Sequence, residues 1–329
     1  MTDPVSLPVA EVAQGRRRQM LRTAFGPTIA AALADPTVIE VMVNPDGRLW
    51  IDRATVGRQD TGERIGSAEA ERIIRLVAAH VRREVHDKAP IVSAELPDTG
   101  ERFEGILPPV APAPCFAVRK PADLLYRLAD YVTARIMSAP QAAALTLAVR
   151  QRKNILVVGG TSSGKTTLVN ALLAEVAELG ERVLILEDTR ELRCAAADCV
   201  ALCTKPGIAS LADLVRSTLR LRPDRIIVGE VRGPEALDML KAWNTGHPGG
   251  IATVHANSAE AGLYRLEQLV QEAVVTVPRE LIAEAIDVVV FLAGRGIGRR
   301  VESVLELVRL DEDGDYELQP PGRPTLHTV

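Results

Sequence analysis

Apolar and polar positions divide this chain of 329 residues into two kinds of pattern. Up to about residue 120 the apolar runs are short and separated by turn residues. Val38–Val43 and Arg48–Asp52 read as strands joined by Asn44-Pro45-Asp46-Gly47, a turn with suitable residues. Ser67–Val81 carries Ile73, Ile74, Val77 and Val81 at helical spacing. Ile91–Leu96, Arg102–Leu107 and Cys115–Arg119 predict further strands, and the proline-rich 108–114 stretch predicts a stiff connector. Together these predict a small α+β domain over residues 1–121.

Residues 122–329 form the second predicted domain. A mostly helical pattern runs from Pro121 to Arg152, broken at Ser138-Ala139-Pro140. Strand and helix patterns then alternate: Ile155–Val158, Thr166–Leu179, Val183–Glu187, Ser210–Leu221, Arg225–Gly229, Pro234–Thr245, Ile251–His255 and Ala259–Glu272. Such alternation predicts an α/β fold with a largely parallel sheet covered by helices. Thr166–Leu179 reads as amphipathic, with Leu168, Leu172 and Leu173 on one face and Gly180 as its stop. Ser210 with Asp213, and Asn257 with Glu260, have capping-box spacing, and Pro234 suits a helix start. Ile286–Leu292 and Arg300–Leu310 predict closing strands, with a frayed tail after Asp311.

Composition adds exclusions. Hydrophobic residues at 47% and charged residues at 25% suit a soluble globular protein. A net charge of −4 argues against a sequence-specific nucleic-acid binder, and Arg16-Arg17-Arg18 reads as a solvated helix face. No apolar run approaches the roughly 18 residues a membrane span needs, and Met1–Met20 lacks the apolar core of a secretory signal. Cys115, Cys194, Cys199 and Cys203 do not have disulfide-framework or metal-pair spacing and are expected to be reduced and structural. The expected compartment is the cytoplasm.

The sharpest chemistry lies between the second domain's first strand and helix. Gly159-Gly160-Thr161-Ser162-Ser163-Gly164-Lys165-Thr166, followed by Thr167, has the spacing of a phosphate-binding loop. Glycines turn backbone N–H groups into one concavity, and the helix N-terminus adds partial positive charge. Lys165 is expected to reach the β- and γ-phosphates of ATP, and the Thr166 hydroxyl to hold Mg²⁺.

Acids end two other strands. Leu184-Ile185-Leu186-Glu187 and Arg225-Ile226-Ile227-Val228-Gly229-Glu230 both deliver a carboxylate to the sheet edge where ligands gather in such folds. Glu230, after the stiffer run, is expected to face Mg²⁺ through its water. Glu187, opening a more polar loop, is the expected general base, although sequence leaves the two roles exchangeable. His247 and His255 bracket the next strand. His255 shares the acids' edge and could sense the γ-phosphate, whereas His247 divides evenly between function and packing.

These motifs, in this order, resemble the secretion ATPases of the type II/type IV superfamily, in particular the conjugative type IV secretion branch. The resemblance rests on residues 159–167, 186–192, 219–232 and 246–257, and more loosely on Gly100-Glu101-Arg102-Phe103, Leu107-Pro108-Pro109 and Val118-Arg119-Lys120-Pro121. Two departures are visible: Ser162 stands where a glycine is usual, and Gly233 where the signature commonly has aspartate. The resemblance implies a RecA-like C-terminal ATPase domain below a PAS-like N-terminal domain. It also implies a homohexamer, peripheral to the inner membrane, working on channel proteins there. It further assigns Arg102 and Arg119 to the nucleotide phosphates. A pilus ATPase is the alternative, and a DNA-dependent RecA-like motor a more distant one. A regulatory GTPase would need a guanine-reading motif, and Thr204-Lys205-Pro206-Gly207 lacks its aspartate.

Overall fold

A computed structural model of the chain describes residues 9–54, 56–96, 100–121, 126–205 and 207–323. It divides into two compact units, Met1–Asp123 and Leu124–Val329.

In the first unit, helix α1 (Val9–Ala34) kinks at Gly26 and Pro27 and is followed by β1 (Val38–Val43), β2 (Arg48–Arg53), β3 (Gly57–Arg64), α2 (Ser67–His80), β4 (Ile91–Glu95), β5 (Arg102–Ile106) and β6 (Cys115–Arg119). The strands form one antiparallel sheet in the order β3-β2-β1-β6-β5-β4. Ile73, Ile74 and Val77 of α2 pack with Phe103, Phe116, Val118 and Ile29 into its core. Sequence reasoning misses β3. Its residues, Gly-Arg-Gln-Asp-Thr-Gly-Glu-Arg, are almost all exposed or half-exposed, so an edge strand joined only to β2 carries no apolar alternation. The Arg16-Arg17-Arg18 run falls within α1, but its side chains lie outside the described residues, as does the start of the stretch tested for a secretory signal.

The second unit opens with α3 (Leu128–Thr133) and α4 (Ala139–Arg150), then β7 (Ile155–Gly159), α5 (Lys165–Ala177), β8 (Val183–Glu187), β9 (Cys199–Cys203), α6 (Leu211–Thr218), β10 (Arg225–Val228), α7 (Glu235–Asn244), β11 (Ile251–Val254), α8 (Ala259–Gln271), α9 (Arg279–Ala285), β12 (Val288–Ala293), β13 (Arg300–Leu310) and β14 (Tyr316–Gln319). The sheet order is β14-β13-β12-β7-β11-β10-β8-β9. From β12 to β9 all neighbours are parallel, and β13 and β14 add an antiparallel edge. Strands β7, β8, β10 and β11 are buried at every position, which is why their sequences are continuous apolar runs. Buried Arg225 anchors β10 from below: it pairs with Glu181 and donates to the carbonyls of Gly249 and Val149.

Three expectations need correction. Helix α5 is not amphipathic: Leu168, Val169, Asn170, Ala171, Leu172, Leu173 and Val176 are all buried, because α5 lies between the sheet and helices α3 and α4. The cap of α8 is Ser258, whose hydroxyl accepts from the Ala261 amide, rather than an Asn257–Glu260 box. The stretch after Asp311 adds β14 to the sheet, hydrogen-bonded to β13, and only residues 324–329 beyond it lie outside the described structure. By contrast the Ser210–Asp213 box forms as expected. The break expected at Ser138-Ala139-Pro140 is present between α3 and α4, where Ser138 and Gln141 cap each other at the start of α4. Among the described residues no helix is long and apolar enough to cross a bilayer, and none of the four cysteines is in a disulfide.

Candidate functional site

The phosphate loop joins β7 to α5 at the carboxyl edge of the parallel sheet. Two of its positions admit only glycine. A β-carbon on Gly159 would stand 2.6 Å from the Ser163 hydroxyl and 2.8 Å from the Leu292 carbonyl. Gly164 caps α5 with a left-handed φ of 96°. Ser162 also has a left-handed φ, 62°, so a non-glycine residue carries strain there of about 1–2 kcal/mol. Ser163 is buried, and its hydroxyl has no partner among the described residues.

Lys165, itself buried, folds back over the loop and donates to the carbonyls of Gly159 (2.8 Å) and Gly160 (3.1 Å). Its ammonium also lies 3.3 Å from His255 Nδ1. His255 Nε2 in turn lies 2.8 Å from Glu230 Oε1. Burial and the Lys165 charge hold the imidazole below its ordinary pKa, against the pull of Glu230. A neutral ring with the proton on Nε2 satisfies both contacts, accepting from Lys165 and donating to Glu230. Glu230 also accepts from Arg232 at 2.6 Å. Burial works to raise the Glu230 carboxyl, but Arg232, His255 and Lys165 outweigh it and hold it below the usual carboxylate value. Lys165, His255 and Glu230 therefore form one connected polar chain from the start of α5 across the exits of β11 and β10.

Glu187 ends β8 beside this chain but is differently engaged. It is only 4% exposed. Its Oε1 accepts from the amides of Glu191 and Leu192, both at 2.9 Å. Thr166 Oγ1 donates to Glu191 at 3.1 Å, and Asn170 of α5 holds both the Glu191 carbonyl and the Arg193 amide. Sequence reasoning gives no separate role to Glu191 or Arg232. Both lie inside quoted motifs, but nothing in their spacing says which charged loop residue turns inward.

His247 stands away from the chemistry, at the amino end of β11, with Nδ1 3.3 Å from the Ala242 carbonyl at the end of α7. Arg102 and Arg119 belong to the first unit, where they are direct cross-strand partners on β5 and β6, and Glu40 of β1 pairs with Arg119 on its other side.

Loop, lysine and strand-end acid, supported by a parallel sheet, define the phosphate-loop class of α/β proteins. The family model described as "Type II/IV secretion system protein" matches residues 28–297, and the chain belongs to that family. It is 48% identical over 289 residues to the conjugal transfer protein TrbB of Rhizobium radiobacter, covering 87% of this chain and 89% of that one. It is 34% identical over 314 residues to the type IV secretion system protein PtlH of Bordetella pertussis, covering 83% and 91%. The X-ray structure of the ATPase DotB of Legionella pneumophila superposes with a TM-score of 0.57 at 19% identity, covering 95% of this chain and 84% of that one. This last likeness concerns the fold alone.

Proposed function

We propose that the chain is the ATP-hydrolysing motor of a conjugative type IV secretion system, powering pilus assembly or substrate transfer. The single observation that carries the chemistry is the Lys165–His255–Glu230 chain at the mouth of the phosphate loop. Similarity to TrbB and PtlH supports the biological setting. On this reading Leu124–Val329 is a RecA-like ATPase domain and the antiparallel unit before it is PAS-like. The working form is a homohexamer at the cytoplasmic face of the inner membrane, in contact with channel proteins there.

Residues 159–167 bind the triphosphate, with Lys165 leaving its loop carbonyls for the β- and γ-phosphates. Mg²⁺ fits the hard oxygen donors present: Thr166 and Glu191 stand together, and Glu230 would act through water. When bound, the ion would supply positive charge against that of the triphosphate. Sequence reasoning prefers Glu187 as general base, but an oxygen already accepting two amides suits a positioning group. Glu230 is the better base, with His255 reporting the γ-phosphate to it through their shared hydrogen bond. Arg102 and Arg119 supply cations to the phosphates from the first unit, as planar guanidiniums on a separate domain would for coupling closure to hydrolysis.

The test is phosphate release by Lys165→Ala. One hydrogen bond to a charged group contributes about 1.5–3 kcal/mol, and this lysine would make several to one ligand. Turnover should vanish into background while circular dichroism and melting stay those of the parent. Parent-like turnover in a folded Lys165→Ala protein removes the assignment.

A further inference from the structure

The loop that joins β12 to β13 carries a cation to the phosphate loop that none of the motifs above explains. Gly294 and Gly296 hold left-handed φ values of 76° and 54°, and a short 3₁₀ turn over Gly296–Gly298 delivers Arg299. The guanidinium lies across Gly164. A β-carbon built there would stand 2.9 Å from Arg299 Cζ, 2.9 Å from Nε and 3.0 Å from one terminal nitrogen. Nε is buried and, among the described residues, has no hydrogen-bond partner.

That placement is unfavourable on its own. Gly164 caps α5, and a helix N-terminus carries partial positive charge, so a cation there is on the wrong end of the dipole. Lys165 adds another positive charge one residue on. Among the described residues the Ser163 hydroxyl and Arg299 Nε are both donors without a partner, and the oxygens of an anion would supply acceptors to both. The topology says which part of an anion. Strand β7 has β11 on one side, and beyond it β10 and β8, which bring His255, Glu230 and Glu187. On its other side is β12, which leads to Arg299. Arg299 therefore meets the loop from the flank opposite the acids.

We propose that Arg299 is a nucleotide ligand that takes the α-phosphate, the end of the triphosphate away from Glu230 and His255, and so holds ADP and ATP alike. This rests on the reading of residues 159–167 as a nucleotide loop. It makes Arg299 a residue of affinity, distinct from any group acting on the γ-phosphate.

Calorimetric titration of the full chain with MgADP and with the β,γ-imido analogue of ATP tests it. Arg299→Ala should weaken both by the same factor, about ten- to hundredfold, as expected for losing a charge-assisted hydrogen bond. Arg299→Lys should recover part of the loss, since it restores charge without the planar fork. Without nucleotide, Arg299→Ala should melt no lower than the parent, because it removes a cation from the positive end of a helix dipole. A clear drop in melting would make Arg299 a structural residue and overturn the proposal. So would weakened binding of the analogue with ADP unaffected, which would move the contact to the γ side. If Arg299→Ala binds both nucleotides normally while Lys165→Ala binds neither, the proposal falls and the loop assignment stands. If Lys165→Ala also binds normally, both fall.

Discussion

Strands β8 and β10 run side by side and leave the sheet at the same edge, each delivering a glutamate, yet the two carboxylates are held in different ways. At the exit of β8, Glu187 itself gathers the loop, accepting the amides of Glu191 and Leu192. At the exit of β10 that task passes to Glu235, whose Oε1 accepts the amides of Arg232 and Gly233. Glu230 is thereby left to side-chain partners, Arg232 and His255. Contacts to loop amides make a carboxylate part of the backbone's own structure. Contacts to mobile side chains can be exchanged when a ligand arrives. Position on the catalytic edge thus makes a glutamate a candidate, and the type of partner decides its role.

The largest effect that would break this contrast is on turnover. Glu230→Gln keeps volume and removes the charge that would take a proton. It should lower phosphate release by about 10²–10⁴-fold, the usual range for a general base, with melting and MgADP affinity close to the parent. Near-parent turnover in Glu230→Gln would show that the chemistry belongs elsewhere on this edge.

Glu187→Gln should fail differently. Its amide oxygen is a weaker acceptor for the two loop amides than a carboxylate, so the cost is about 1–3 kcal/mol of stability, seen as a melting point lower by several degrees. Amide exchange at Glu191 and Leu192 should accelerate most, and turnover should fall by a smaller factor than in Glu230→Gln. If Glu187→Gln instead melts like the parent and loses turnover completely, Glu187 is the base and the contrast is reversed.

The same contrast shows what sequence made legible. Elements that are apolar throughout or strictly periodic were readable, and β7, β8, β10, β11 and α2 lie within a residue or two of expectation. Phosphate-loop spacing located Lys165 and Thr166 because the geometry of such a loop is local. Apart from the α8 cap, one residue from where it was expected, what failed was non-local. Strand β3 is a polar edge, identifiable only by its pairing with β2. Helix α5 looked one-sided because sequence does not show that α3 and α4 cover its other face. Arg299 has no motif, since its relation to Gly164 depends on β12 lying next to β7. The split between Glu187 and Glu230 was equally invisible, because it turns on where two pairs of backbone amides point.

Gly233, where aspartate is common in the resembled signature, offers the finest test of the exit of β10. Here its amide is held by the buried Glu235, and a β-carbon at this position would stand 3.0 Å from Glu235 Oε2 and 3.5 Å from Glu272 Oε2. An aspartate would therefore enter a space already bordered by two carboxylates. Like charges about 4 Å apart repel by roughly 1 kcal/mol even in water, so with two carboxylates nearby Gly233→Asp should lose about 1–2 kcal/mol at low salt. Part of this is offset by reduced freedom of the unfolded chain, about 0.4–1 kcal/mol. The salt dependence is therefore the cleaner readout. At about 1 M salt the screening length shrinks to roughly 3 Å, and the repulsive part of the deficit should disappear. Glu272→Gln in the same chain should recover some of it at low salt as well. Turnover should stay within a few-fold of the parent, because Glu230 keeps its partners as long as Glu235 keeps its amides. If Gly233→Asp is more stable than the parent at low salt and indifferent to added salt, the aspartate has displaced Glu235 from the loop amides. The division of labour between Glu235 and Glu230 would then be one of two arrangements this exit can adopt.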